Sequence, residues 1–299
     1  MPRHTAQYRG RFAPSPTGKL HLGSLIAALA SYLDARSHRG KWLVRMEDLD
    51  PPREEPGAAH AILNSLQQHG LNWDEPVLWQ SQKHASYCAL LDTLEQQGHL
   101  FNCDCTRALL GPNGACQGRC QGRTHPAETA VATRVTVPHS HTVEFNDQLQ
   151  GVQHCQLGEE FPDFVLKRKD GLFAYQLAVV ADDAAQGITH VVRGCDLLDS
   201  TARQIYLQQL LGYAVPHYCH LPVITNAQGQ KFSKQNHAPA LNPDQAAQNL
   251  CKALRFLHQP EPPASLESPT QILDYATSHW NLRSIPATTA ISAQADAYT

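Results

Sequence analysis

The chain has 299 residues, 42% of them hydrophobic and 17% charged, with a net charge of -3. That composition can fill a large core, arranged as one main domain with smaller pieces, and the slight acidity excludes a uniformly basic nucleic-acid binder. No apolar run nears the ~20 residues of a membrane span and no signal-peptide pattern is present, so a cytoplasmic protein is expected.

In chain order, residues 9–13 read as a buried strand that breaks at Pro14, Pro16 and Gly18 and re-enters a helix through His21-Leu22-Gly23-Ser24, with apolar residues at helical spacing to about residue 37. A glycine turn followed by a helix N-terminus is how backbone N–H groups and the helix dipole hold phosphate. Residues 41–46 form the next strand, 54–68 a helix with Pro56 in its first turn, and 85–97 a helix closed by Gly98. From 101 to about 123 the pattern gives way to Cys, Gly and Asn, followed by short strands near 133–137 and 164–169. Asp170-Gly171 joins the latter to 172–180 as an expected hairpin. A strand at 188–193, a helix at 201–211, a strand at 220–224 and a helical piece at 243–257 complete the pattern, and the last fifteen residues read as a frayed tail.

The expected fold is α/β: a doubly wound parallel, Rossmann-type sheet split by an insertion, with a short C-terminal helical region. The expected divisions are 1–101 and 179–240 for the two halves of the sheet domain, 102–178 for the insertion and 241–299 for the helical region and tail.

Two stretches carry chemistry together. One is the nucleotide turn from Arg11 to Ser24; the other is Lys231-Phe232-Ser233-Lys234-Gln235, whose paired lysines can follow charge developing on a leaving pyrophosphate. Of nine cysteines, Cys103, Cys105, Cys116 and Cys120 crowd a Gly-rich loop. In a reducing compartment four thiolates suit a closed tetrahedral zinc site rather than disulfides, and Cys88, Cys155, Cys195, Cys219 and Cys251 read as small core residues. Local basic runs, Arg119 to Arg123 and Lys167-Arg168-Lys169, are the candidates for contact with RNA.

With these residues in place, the chain resembles the class I aminoacyl-tRNA synthetases. His21-Leu22-Gly23-Ser24 and Lys231-Phe232-Ser233-Lys234-Gln235 match their two signature motifs, and Arg-Phe-Ala-Pro-Ser-Pro-Thr-Gly narrows the resemblance to the glutamyl branch. It implies ATP-dependent activation of glutamate, with His21, Gly23, Lys231, Ser233 and Lys234 at ATP, His21 and Lys234 in catalytic roles, and Mg2+ accompanying ATP. Arg45-Met46-Glu47-Asp48-Leu49-Asp50, Tyr175-Gln176-Leu177-Ala178-Val179-Val180 and Arg193-Gly194-Cys195-Asp196-Leu197-Leu198 match glutamate-pocket segments. Arg11, Phe12, Ala13, Pro14, Ser15, Glu47, Tyr175 and Arg193 are therefore expected around glutamate. Arginine suits its side-chain carboxylate and Glu47 its ammonium. Asp182-Asp183 continues one of these segments and is given no chemical role.

The relatives also carry a zinc element opened by the same Cys103-Asp104-Cys105-Thr106-Arg107, although many have tyrosine where this chain has Cys116. Glutamyl-tRNA synthetases continue into a helical region that reads the anticodon, for which the chain after Gln235 is too short. The resemblance is therefore to truncated glutamyl paralogues that place glutamate on queuosine in the anticodon stem-loop of tRNA(Asp), and a monomer is expected. Two alternatives stay open: a short glutamyl-tRNA synthetase charging a tRNA 3′ end, and a non-catalytic zinc module that binds RNA.

Overall fold

The computed structural model describes residues 7–226 and 239–292. Strand β1 (Arg9–Phe12) leads into helix α1 (Leu22–Ser37) and returns as β2 (Lys41–Met46), followed by α2 (Ala58–Gln68), the two-residue β3 (Leu78–Trp79) and α3 (His84–Gln96). The next segment is β-rich: β4 (Leu100–Cys103), β5 (Ala132–Thr136), β6 (Val143–Asp147), β7 (Gly151–Cys155), the single turn α4 (Leu157–Glu160) and β8 (Asp163–Lys167). Helix α5 (Tyr175–Ala185), β9 (His190–Gly194), α6 (Leu198–Leu210), β10 (His217–Leu221) and β11 (Val223–Thr225) follow. The chain then adds α7 (Ala246–Phe256), α8 (Pro269–Ser278) and β12 (Ala290–Ser292).

β2 pairs in parallel with β1 on one edge and β3 on the other, with Arg11 beside Leu43. On the far side of β1 lies β9, where the Thr189 N–H donates to Arg9 O at 3.0 Å, and β9 pairs in parallel with β10, placing Arg193 beside His220. The chain thus winds outward from β1 to β3, then restarts at β9 and winds the other way. The crevice beyond the carboxyl ends of β1 and β9 is the switch point at which such sheets bind ligands.

Alternation along β2 divides the core. Trp42, Val44 and Met46 pack with Leu25, Leu29 and Leu33 of α1 and with Leu254 and Ile272 behind them. Leu43 faces Tyr87, Leu177 and Val180 on the other side. In the segment between the sheet halves, β5 pairs antiparallel with β4 and β8, β6 and β7 form a hairpin, and the four clustered cysteines make a small core of their own. No helix among the described residues is long and apolar enough to cross a membrane.

The structure corrects several expectations. The Asp170-Gly171 turn does fold back, with Lys167 bridging Phe173, but from Tyr175 onward the chain is α5 rather than a strand. Residues 176–183 are all buried, so the helix shows no polar stripe, and a continuous apolar run does not distinguish strand from helix. The helix expected from 54 begins at Ala58, because Gly57 takes up a left-handed φ of 79° ahead of it. Pro222, which has no N–H, divides the expected strand at 220–224 into β10 and β11. Helix α8 was not anticipated. Within the expected frayed tail Ile285 is buried and β12 pairs in parallel with β11.

Candidate active site

At the switch point opens a cleft of about 680 Å³, and it gathers Arg11, Phe12, Ala13, Pro14, Ser15, His21, Gly23, Glu47, Tyr175 and Arg193. The turn after β1 is held by the Thr17 N–H on Ser15 O at 2.8 Å and the Glu47 N–H on Pro14 O at 2.9 Å, and Gly18 adopts φ 134°. His21 is the N-cap of α1: its Nδ1 accepts the Ser24 N–H at 3.4 Å, and its Nε2 lies 3.1 Å from Ser24 Oγ. A Cβ on Gly23 would lie 3.1 Å from His21 Cε1 and 3.3 Å from Ile224 Cγ2, so a side chain there would press the imidazole by a few tenths of an ångström from its place at the helix start. Lys231, Ser233 and Lys234 lie outside the described residues. The chain returns from them at Ala240, which bridges His21, while the Leu241 N–H donates to Leu20 O at 2.9 Å.

On the sheet face covered by α5 lies a buried charge network that the sequence reading missed. Arg45, fully buried, donates to Asp183 Oδ1 at 2.7 Å, and Arg11 Nε reaches the same oxygen at 3.2 Å. Burial opposes the charge of Asp183, but Arg11 and Arg45 outweigh it and hold the carboxyl below its usual range. Arg45 Nη2 and Glu47 Oε1 face each other at 3.5 Å without hydrogen-bond geometry, and among the described residues Glu47 Oε1 has no hydrogen-bond partner. Burial pushes the Glu47 carboxyl up, against the pull of Arg45 and Arg11. It is a desolvated carboxyl whose Oε1 has hydrogen-bonding capacity left over. Asp182, beside Asp183, accepts instead from Tyr87 and Gln80 at 2.7 and 2.8 Å and supports α5 against α3. Arg45 is the penultimate residue of β2, two before Glu47 just past its end, so continued period-2 alternation could have flagged it; the role of Asp183 had no local signal.

Arg193, at the end of β9, is almost completely buried. Its Nη1 donates to the Tyr175 hydroxyl at 3.2 Å, Nη2 to Thr201 Oγ1 at 2.8 Å and Nε to His220 Nε2 at 3.0 Å. Burial also raises the Tyr175 phenol, which is therefore neutral across the physiological range.

Away from the cleft, the Sγ atoms of Cys103, Cys105, Cys116 and Cys120 all lie within 4.8 Å of one another, with Cys105 at 3.9 Å from Cys116 and 3.5 Å from Cys120. A tetrahedral ion with sulfurs at ~2.3 Å needs them roughly 3.8 Å apart, so the set fits a metal of zinc's preferences. The Cys116 knuckle is braced by Asp163, whose two oxygens accept the Cys116 and Gln117 N–H groups at 2.9 Å each while the carboxylate pairs with buried Arg134.

Comparison with known proteins agrees with this architecture. The model of the class I tRNA synthetase (E and Q) catalytic domain matches residues 7–114 and 116–249. The glutamyl-Q tRNA(Asp) synthetase of Pseudomonas fluorescens is 51% identical over 290 residues, covering 96% of each chain. That of Neisseria meningitidis serogroup C is 51% identical over 289 residues, covering 93% of this chain and 97% of its own. The crystal structure of a glutamate-tRNA synthetase from Elizabethkingia anophelis superposes with a TM-score of 0.82 at 23% identity, over 98% of this chain and 69% of that one, and so shares the fold. With these matches spanning both halves of the sheet and the segment between them, the chain belongs to the class I tRNA synthetases of the E and Q type, within the group of the glutamyl-Q tRNA(Asp) synthetases.

Proposed function

We propose that the protein activates glutamate with ATP and transfers it to queuosine in the anticodon loop of tRNA(Asp). The observation that carries this reading is the meeting, in one cleft, of two buried arginines, a desolvated glutamate and a histidine-capped helix start. Arg11 and Arg193 suit the substrate's side-chain carboxylate, Tyr175 adds a hydroxyl, and Glu47 Oε1 suits the α-ammonium. Phe12, Ala13, Pro14 and Ser15 line the approach between them.

In the first step an α-carboxylate oxygen of glutamate attacks the α-phosphorus of ATP, and the bond to pyrophosphate breaks as glutamyl-adenylate forms. His21 and Lys234 stabilise the phosphate charge, with Gly23, Lys231 and Ser233 at the nucleotide and Mg2+ accompanying it. In the second step a hydroxyl of queuosine attacks the activated carbonyl and AMP leaves. No protein nucleophile takes part, so the catalytic contribution is orientation and electrostatics. Cys103, Cys105, Cys116 and Cys120 would hold zinc, which orders the loop that carries them. The protein would work in the cytoplasm as a monomer, with the anticodon stem-loop entering the cleft.

The test is transfer of labelled glutamate to tRNA(Asp) carrying queuosine and to the same tRNA with guanosine, followed by nuclease mapping of the product. Label confined to the queuosine-containing anticodon loop supports the proposal. Label at the 3′-terminal adenosine of tRNA(Glu), and none in that loop, would make the protein a short glutamyl-tRNA synthetase. Absence of glutamate-dependent ATP–pyrophosphate exchange would leave only a zinc-containing RNA-binding module.

A further inference from the structure

His220 is completely buried, and both its ring nitrogens are engaged. Nδ1 lies 2.6 Å from Asp147 Oδ2, and Nε2 lies 3.0 Å from Arg193 Nε. An arginine Nε always carries hydrogen and can only donate, so His220 Nε2 must accept and the ring proton must sit on Nδ1, donated to Asp147. The ring is thereby neutral, in one tautomer and one orientation. Thr201 Oγ1, 3.1 Å from Nε2 and 2.8 Å from Arg193 Nη2, closes the same arrangement.

Asp147 is not part of the parallel sheet. It ends β6 in the hairpin with β7, where its Oδ1 accepts the Leu149, Gln150 and His220 N–H groups at 3.0, 2.9 and 3.1 Å. The hairpin is fastened to β10 besides, through the Gln148 N–H on Tyr218 O at 2.9 Å and Gln150 Nε2 on His220 O at 2.8 Å.

We propose that His220 is a positioning residue: held by Asp147 of the β6–β7 hairpin, it fixes the edge of the Arg193 guanidinium, whose Nη2 is held by Thr201 Oγ1 and Leu197 O, so that the Nη1–H not given to Tyr175 faces the side-chain carboxylate of the amino-acid substrate. The assignment rests on the reading of Arg193 as that carboxylate's partner. Its consequence is that the hairpin, remote in sequence from the cleft residues, takes part in amino-acid selection. Replacing Asp147 by Asn puts an amide N–H against His220 Nδ1, drives the ring proton to Nε2, and sets it against the Arg193 Nε–H.

The experiment is ATP–pyrophosphate exchange on the full chain, with KM for glutamate and for ATP measured separately. D147N and His220→Leu should raise the KM for glutamate about tenfold, near the ~1.4 kcal/mol of one lost hydrogen bond, with the KM for ATP unchanged. His220→Gln, whose amide oxygen can still accept from Arg193 Nε, should stay within about threefold of wild type. 15N NMR of the His220 ring, assigned by its loss in His220→Gln, should show the proton on Nδ1. Equal losses in both KM values, or no rescue by Gln, would reduce His220 to a structural role, and a proton on Nε2 would overturn the tautomer. Arg193→Ala separates the two levels of the argument. An unchanged KM for glutamate there overturns the role of Arg193 itself, whereas a raised KM with normal His220 variants overturns only the positioning role.

Discussion

Arg45 Nη1 lies 2.7 Å from Asp183 Oδ1, joining the middle of the sheet to the helix that covers it, with the arginine wholly out of solvent. Replacing Asp183 by Asn removes the counter-charge shared by that guanidinium and Arg11, leaving Arg45 with neutral acceptors such as Gln186 Oε1 at 2.9 Å and with the poorly aligned Glu47. Breaking a buried pair from one side typically costs about 3–5 kcal/mol, so denaturant unfolding of D183N should show a loss of that order. A loss below about 1 kcal/mol would mean that Glu47 takes over as counter-ion.

The same pair has a pH signature. Because the folded state holds the Asp183 carboxyl below 3.8, its contribution is complete above that value, where the unfolded chain is ionised too, and falls away as acid reaches the lower folded value. Acid unfolding of D183N should accordingly be less steep than that of wild type below about pH 4.

Gly23→Ala tests the nucleotide end. The added methyl would press on His21 and Ile224, while alanine in a helix favours folding by up to ~1 kcal/mol, so the two effects oppose and the Tm should change little. Adenylate formation should nevertheless slow by at least about tenfold if the His21 imidazole follows the phosphate charge, since such contacts are typically worth ~2.7–4 kcal/mol. An unaltered exchange rate would remove His21 from that role.

Purified protein that has never met a chelator should carry one zinc per chain. Cys116→Ala should release it to a competing chelator far more readily than wild type does, because the remaining three thiolates leave an open coordination position. Full retention of zinc in the variant would exclude Cys116 from the ligand set.

At the amino end of β9, His190 stacks on Tyr8 with ring centroids 3.9 Å apart. Burial, reinforced by neighbouring His217, holds it down at about 4 against the usual 6.5. The neutral ring contributes fully above pH 6.5, and that stability is lost as the pH falls from 6.5 towards 4, where the unfolded chain takes up a proton that the folded one refuses. Thermal melts at about pH 7.5 and about pH 5 should therefore differ less in His190→Phe than in wild type. Equal differences would show that the ring protonates without cost in the fold.

What the sequence revealed is what local chemistry encodes. His21 and Gly23 announce themselves because turn, cap and helix are contiguous, and the four cysteines because their loop has little else to pack. Arg11 and Arg193 were reachable as residues at strand ends. Asp183 and His220 were not, since each acquires its meaning from partners far along the chain, Arg45 and Asp147. Helix α5 was misread for a related reason: buried on every side, it offered no periodicity. β12 escaped because a three-residue strand of Ala, Ile and Ser is recognisable only through the edge it completes.

That last pairing bears on a distant part of the molecule. The segment 227–238 with its two lysines leaves from β11, whose parallel neighbour is β12, and comes back where Ala240 bridges His21. The described residues on either side of it are thus fixed by β12 at one end and by the helix-capping histidine at the other. Mutational tolerance should follow from this. A substitution in 288–292 that breaks the pairing with β11 should slow ATP–pyrophosphate exchange although it touches no substrate.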